Sequence, residues 1–166
     1  MMKKISYFLL IITLVLLCSC GQGVNNQKIE RAVNIKALND SIDNDITDLI
    51  SLYRNSNSAL DDIKLASETI TKIGDNVEKL EKELNAFNSE YNDELAYDTA
   101  MFEHYAEIIT YLKKWRDDLI DYYGYNSGLA KTNRISYNSD HAIIIGNKKQ
   151  LIQEEKPDYQ LIIDKR

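Results

Sequence analysis

Residues 70–87, with the sequence ITKIGDNVEKLEKELNAF, decide the fold of this chain. Apolar side chains recur there at intervals of three and four residues, at Ile70, Ile73, Val77, Leu80, Leu84 and Phe87. An α-helix brings positions with this spacing onto one face. The residues between them are mostly charged or polar, so the stretch predicts an amphipathic helix that packs against other helices.

The same spacing continues in both directions as one seven-residue frame, with positions labelled a to g. The a positions are Ile35, Ile42, Leu49, Ser56, Ile63, Ile70, Val77, Leu84, Tyr91, Asp98, Tyr105, Leu112 and Leu119. The d positions are Leu38, Asp45, Leu52, Ala59, Ala66, Ile73, Leu80, Phe87, Glu94, Met101, Ile108, Trp115 and Tyr122. Of these 26 positions 22 are apolar or aromatic, against 44% hydrophobic residues in the whole chain. The pattern therefore predicts an all-α protein with heptad packing.

Three of the four exceptions to the frame, Ser56, Glu94 and Asp98, lie near the predicted ends of helices. Ser56 lies in the run Asn55-Ser56-Asn57-Ser58, whose side chains compete for backbone hydrogen bonds and favour turns. Asp98 follows a polar turn and is placed to cap a new helix. We predict three helices, near 28–54, 58–92 and 97–123. Short connections make neighbouring helices antiparallel, so residues 28–123 are predicted to form an antiparallel three-helix bundle.

The unbroken frame leaves one alternative open. The second and third helices could form a continuous rod of about 66 residues, roughly 99 Å long at ~1.5 Å per residue, that pairs with another chain. Phe102 and Ile109 lie beside the a and d positions and widen the apolar face of the third helix. A wider face favours the bundle over a two-stranded rod.

Residues 124–166 differ in character, because they contain glycines and Pro157, the only proline of the chain. Two apolar runs, 143–145 and 150–152, flank Gly146-Asn147 and predict a small β-hairpin, with 159–163 as a third extended piece. The competing assignment is a helix that begins after Ser139 and ends before Pro157. In either case we expect the segment to pack on the helices.

The N-terminus is typical of an export signal, because two lysines precede a strongly apolar run that ends near Leu17. The next residues complete the stretch Leu17-Cys18-Ser19-Cys20, which resembles the lipobox of bacterial lipoproteins. The resemblance covers residues 1–22. It implies that signal peptidase recognises Leu17 and Ser19, that residues 1–19 are removed, and that the thiol of Cys20 carries acyl chains.

The lipobox resemblance implies an address in the bacterial cell envelope, with the protein anchored to a membrane through Cys20. The inner membrane, the outer membrane and the cell surface are three alternative locations that fit this resemblance. Residues 20–27 are small and polar, as in a flexible tether between lipid and body. Stable attachment needs two or more acyl chains, at about 0.8 kcal/mol per buried CH₂ group.

Charge and cysteine content exclude several classes of function. Removal of Lys3 and Lys4 with the signal leaves 18 basic and 26 acidic residues, a net charge of −8. Nucleic acids and anionic lipid headgroups bind basic surfaces, so we expect neither as a partner of the body. No free thiol would remain for a disulfide, a metal site or nucleophilic catalysis.

Catalytic, metal and cofactor motifs are not apparent in the sequence. His104 and His141 lack metal-ligand spacing, and His104 is expected to be a structural residue at the rim of the bundle. Paired carboxylates such as Asp117-Asp118 are expected to be solvated helix surface. We therefore expect no cofactor, no bound metal and no enzymatic activity.

Aromatic residues at the end of the third helix are the best candidates for a partner-binding surface. They are Trp115, Tyr122, Tyr123 and Tyr125. Tyrosine and tryptophan combine a large apolar area with a polar group and are enriched at contact hot spots. The alternative is that Trp115 and Tyr122 belong to the core while the other two close the end of the bundle.

Two functional hypotheses follow. The first is a lipid-anchored extracytoplasmic helical protein that acts as an interaction or structural module, with another protein or a second copy as its partner. The second is a small-ligand binder or hydrolase with a site between the helices and the C-terminal segment, near Tyr125 and His141.

Overall fold

A computed structural model describes the backbone of residues 2–55, 60–124 and 130–164, and the side chains of 25–54, 63–118 and 140–164. Four long helices, α1 (Met2–Asn55), α2 (Leu60–Tyr91), α3 (Ala100–Gly124) and α4 (Ala130–Glu155), are followed by the short α5 (Gln160–Ile163). Every regular element in the described ranges is a helix, so the predicted all-α class is confirmed. The four long helices pack against each other, with α2 between α1 and α3, and α4 against α3 and α1.

The apolar faces of α2 and α3 agree with the predicted frame. Every a and d position from Ala66 to Phe87, and from Met101 to Trp115, is buried. The end of α2 and the start of α3 also lie within three residues of the predicted ends. The alternative of a continuous rod is wrong here, because α2 ends at Tyr91 and α3 packs back against it.

The buried face of α1 is rotated relative to the predicted frame. Asn39, Ile46 and Tyr53, which follow the predicted d positions by one residue, are fully buried. The d residues Leu38 and Leu52 are only half-buried. Because α1 contacts both α2 and α4, its buried face is directed between two neighbours instead of at one.

Ion pairs show how α1 and α2 are aligned. Arg31 Nη1 lies 2.7 Å from Glu90 Oε2, and Lys72 Nζ lies 2.8 Å from Asp45 Oδ1. Residue numbers thus rise along α1 as they fall along α2. The pairing with Lys72 also explains why the polar residue Asp45 occupies a predicted d position.

The turn between α2 and α3 is held by the side chain of Asn88. Its Nδ2 donates to the carbonyl oxygen of Leu95 and its Oδ1 accepts from the amide of Leu95, both at 2.9 Å. Asn92 and Asp93 within the turn have φ angles of 54° and 59°, the left-handed region that asparagine and aspartate tolerate better than most residues. Asp98 then caps α3, as predicted, since its Oδ1 accepts from the amide of Ala100 at 2.9 Å.

The predicted β-hairpin over residues 143–152 is wrong, because this segment is the C-terminal half of α4. Ala142, Ile145 and Ile152 are buried at intervals of three and seven residues, as expected for one face of a helix. Gly146 stands inside α4 at an exposed position, where glycine weakens a helix by roughly 1 kcal/mol relative to alanine. On α3, Tyr111 and Trp115 provide the surface on which α4 packs, since both rings lie against His141. Phe102 and Ile109, which widen the apolar face of α3, are half-buried against the core.

The predicted signal and tether fall within the bounds of α1. The backbone of residues 20–27 is helical in this structure, whereas the sequence predicts a flexible tether. The side chains of Leu17, Ser19 and Cys20 lie outside the described residues, so their predicted roles stay predictions. Among the residues that were searched, no helix is long and apolar enough to cross a membrane.

Replacing Asn88 by alanine is expected to lower the free energy of unfolding by about 1 to 3 kcal/mol, because the buried peptide group of Leu95 loses both hydrogen bonds. Chemical denaturation followed by circular dichroism measures the change. Ser89→Ala, at the exposed neighbouring position, is the matched control and should change stability by less than about 0.5 kcal/mol. Equal stability of the Asn88 variant and the wild type would contradict this role of the side chain.

Candidate functional site

Four aromatic rings meet where α1, α3 and α4 come together, far from the N-terminus. The rings of Tyr53 and Trp115 have centroids 4.7 Å apart, and the imidazole of His141 stacks on Trp115 at 5.5 Å with an interplanar angle of 20°. Tyr111 contacts the other side of His141 at 6.4 Å. These contacts tie α4 to α3 and α1 at the end of the bundle where the predicted binding aromatics were expected.

The predicted binding residue Trp115 is 0% exposed, so its side chain belongs to the core of this structure. The side chains of Tyr122 and Tyr123, together with Tyr125, lie outside the described residues. The sequence therefore located the aromatic end of the bundle, and the described part of that cluster is internal packing.

His141 was expected near a ligand pocket and instead lies in this aromatic cluster, 6% exposed. Burial lowers the pKa of its imidazole below the ordinary value of 6.5, because the charged form loses hydration. Asp118 on α3 and Asp140 on α4 oppose this effect, while Lys114 on α3 reinforces it. The neutral ring is thus the form that suits this environment.

A second polar cluster joins α3 to the end of α4, and sequence reasoning missed it. His104 Nδ1 lies 3.2 Å from Glu107 Oε2, and its Nε2 lies 3.2 Å from Glu155 Oε1. Lys148 Nζ pairs with the same oxygen of Glu107 at 2.6 Å. The hydrogen bond from Lys148, followed by the one from His104, lowers the pKa of the Glu107 carboxyl. This arrangement clamps two helices together.

The residues of this cluster could have been grouped from the sequence only if α4 had been predicted as a helix. Lys148 and Glu155 are seven residues apart and share one face of a helix, opposite the His104-x-x-Glu107 pair. With residues 143–152 read as strands, these side chains could not be brought together.

The C-terminal segment covers a buried polar layer. The hydroxyl of Tyr105 donates to Asn39 Oδ1 at 3.1 Å, and Tyr159 packs close by. Burial raises the pKa of both tyrosines, and the carboxylate of Asp40 raises them further. Tyr159 and Ile162 are the buried side chains that hold this segment on the helices.

The outer face of α4 carries the most concentrated exposed apolar surface among the described side chains. Ile143 is 58% exposed, Ile144 36% and Leu151 37%. Ile144 and Leu151 are seven residues apart and share one face, and Ile143 lies about 100° further around the helix. The three residues, here called the α4 row, together form a broad apolar surface on the outer side of α4. Single exposed apolar residues are common, but a row on one helix is typical of a contact surface.

Within the described residues, no three histidine, cysteine, aspartate or glutamate side chains are grouped as a metal site would require. No protein-family model matches the chain, and neither does any curated protein or solved structure. The packing and the surfaces described above are therefore the basis for the proposed function.

Acidification is expected to destabilise the bundle through His141. The unfolded chain has the higher pKa at this residue, so it binds more protons as the pH falls below about 6.5, and folding stability decreases there. His141→Phe should flatten this part of the pH dependence, measured as denaturation midpoints from pH 8 to pH 5. His104→Gln is the control for the other histidine and should leave the contribution of His141 in place.

The fluorescence of Trp115, the single tryptophan, provides an independent measurement of the protonation of His141. Protonated imidazole quenches a neighbouring indole, so emission of the folded protein should fall at acidic pH in the wild type and not in His141→Phe. An identical pH profile in both proteins would contradict the assigned role of His141.

Proposed function

We propose that this protein is a lipid-anchored, extracytoplasmic helical module whose function is to bind another protein or a second copy of itself. The α4 row is the observation that carries this proposal. A helix that packs one face on α3 and α1 and still exposes three large aliphatic side chains on its outer face is suited to a further protein contact.

An antiparallel bundle is the scaffold that would present this row. The pairing of α1 with α2 runs in opposite directions, and the same holds for α3 and α4, where His104 meets Glu155 and Glu107 meets Lys148. Lys149 of α4 also reaches Asp43 of α1, at 3.0 Å, and closes the ring of helices. Such a body is rigid enough to hold a binding face at a fixed position.

The location of the protein at a membrane is proposed from the lipobox-like residues. Cleavage before Cys20 would make this cysteine the first residue, and acyl chains on its thiol would hold the bundle at the surface of a membrane. The acidic net charge of the body supports a lipid anchor over a basic membrane-binding patch, since anionic headgroups do not attract acidic surfaces.

Replacing Cys20 by serine is expected to abolish incorporation of radiolabelled palmitate and to release the protein from the membrane fraction. Cys18→Ser is the matched control and should be labelled like the wild type, because Cys18 would leave with the signal. Labelling that persists in Cys20→Ser, or that is lost equally in both variants, would contradict the assignment.

A photo-crosslinking amino acid placed at Ile143 or Leu151 in the full chain is expected to give a discrete protein adduct in cells, because the α4 row would lie in the contact. The same amino acid at Glu78, exposed on α2, serves as the control and should give at least tenfold less adduct. Gel electrophoresis identifies the partner class. An adduct of twice the chain mass indicates self-association, and another discrete mass indicates a different protein.

The absence of any adduct above the Glu78 control would overturn the proposal that the α4 row is a contact surface. Ile143→Asn combined with Leu151→Asn should remove the contact with little loss of stability, since both positions are exposed. Circular dichroism would verify that this variant is folded.

A further inference from the structure

We propose that the anchored protein stands upright on the bilayer, with the turn between α2 and α3 facing the lipid and the Trp115 end pointing away. This inference rests on the proposed lipid anchor at Cys20. It specifies how the bundle is oriented relative to the membrane. In this orientation the α4 row remains accessible to a protein partner.

The first support is the path of α1. Its backbone runs as one helix from Met2 to Asn55, so Cys20 and the packed part of the helix share an axis. Eight residues separate Cys20 from Lys28, about 12 Å at ~1.5 Å per residue, whereas Tyr53 lies about 50 Å from Cys20 along the same axis. Trp115 packs against Tyr53 and is therefore far from the anchor.

The second support is the position of the turn between α2 and α3. Lys28 forms an ion pair with Glu94, and Arg31 pairs with Glu90. These contacts place the turn level with the part of α1 that follows the anchor. When the helix axis stands on the membrane, this turn is the part of the body that faces the bilayer.

The charge at this end determines how closely the body approaches the bilayer. Residues 83–112, which contain the turn, include no lysine or arginine. The acidic residues of this range are Glu83, Glu90, Asp93, Glu94, Asp98, Glu103 and Glu107. Lys28, Arg31 and Lys148 compensate only part of this charge. An anionic bilayer therefore repels the turn over a Debye length of about 8 Å, so the body is held off the headgroups.

The rival arrangement lays the bundle on its side with the α4 row in the headgroup region. The row offers apolar surface for this, and Lys148 and Lys149 lie beside it. However, both lysines are already paired, with Glu107 and Asp43. The row also extends over only nine residues, from Ile143 to Leu151, or about 12 Å, which is short compared with the body. Lying flat would further require a bend in α1 between Cys20 and Lys28.

Energy transfer from Trp115 to a dansyl-labelled headgroup distinguishes the two orientations. The lipidated full chain is reconstituted in phosphatidylcholine vesicles, and flotation verifies that it is bound. We expect transfer from Trp115 to stay near background, because the indole would lie tens of ångströms from the headgroups. Ala96→Trp, which adds a second indole at an exposed position of the turn, should show transfer at least several-fold higher.

Strong transfer from Trp115 in the floated wild type would overturn the upright orientation, and its loss in Ile143→Asn with Leu151→Asn would identify the α4 row as the lipid contact. A chain that does not float with the vesicles would instead overturn the lipid anchor itself, and the orientation with it. The two failures are therefore distinguishable.

A separate experiment tests how the acidic charge of the turn affects its distance from the bilayer. Transfer from Ala96→Trp should decrease when phosphatidylglycerol replaces part of the phosphatidylcholine, because the acidic turn is pushed away. It should recover in 1 M salt, where the Debye length is about 3 Å. Equal transfer on neutral and anionic vesicles would overturn the electrostatic repulsion between the turn and the bilayer.

Discussion

The structure depends on the burial of two sides of α3. One side carries Tyr105, Ile108 and Leu112 into the core shared with α1 and α2, and the adjacent side, with His104 and Tyr111, receives α4. A helix with a single narrow apolar stripe would pair with one neighbour and leave α4 without a surface to pack on. The wide face of α3 therefore turns a helical hairpin into a bundle of four long helices.

The sequence predicted α2 and α3 well because both obey a spacing that helical geometry alone determines. From Ala66 to Trp115 the apolar residues report directly on which side chains are buried. For α1 the a positions Ile35, Ile42 and Leu49 are buried as predicted, but the d positions are off by one residue. Asn39, Ile46 and Tyr53 are buried in their place. The buried face of α1 is directed between α2 and α4, and the heptad frame does not contain this direction.

The fourth helix was predicted only as the alternative to a β-hairpin. Three consecutive isoleucines followed by Gly146-Asn147 satisfy local rules for a hairpin, and those rules do not include the surface that α3 supplies. Tertiary packing selected the helix, with Ile145 inward and Ile143 outward. The error also concealed the candidate site, because both the His104 cluster and the α4 row exist only when residues 143–155 are helical.

The side chains on which the predicted anchor depends lie outside the described residues. The lipobox resemblance alone therefore supports the anchor.

The contact between α1 and α4 has a consequence for how the chain folds. Successive helices pair with their neighbours in sequence, and such local contacts form early and fast. The hydrogen bond of Lys149 with Thr47 instead joins residues 102 positions apart, and it forms only after the chain has reached α4. A chain emerging N-terminus first would therefore hold its first three helices with one flank of α1 open. The last forty residues complete the bundle, and until then the buried polar layer around Asn39 is accessible to water.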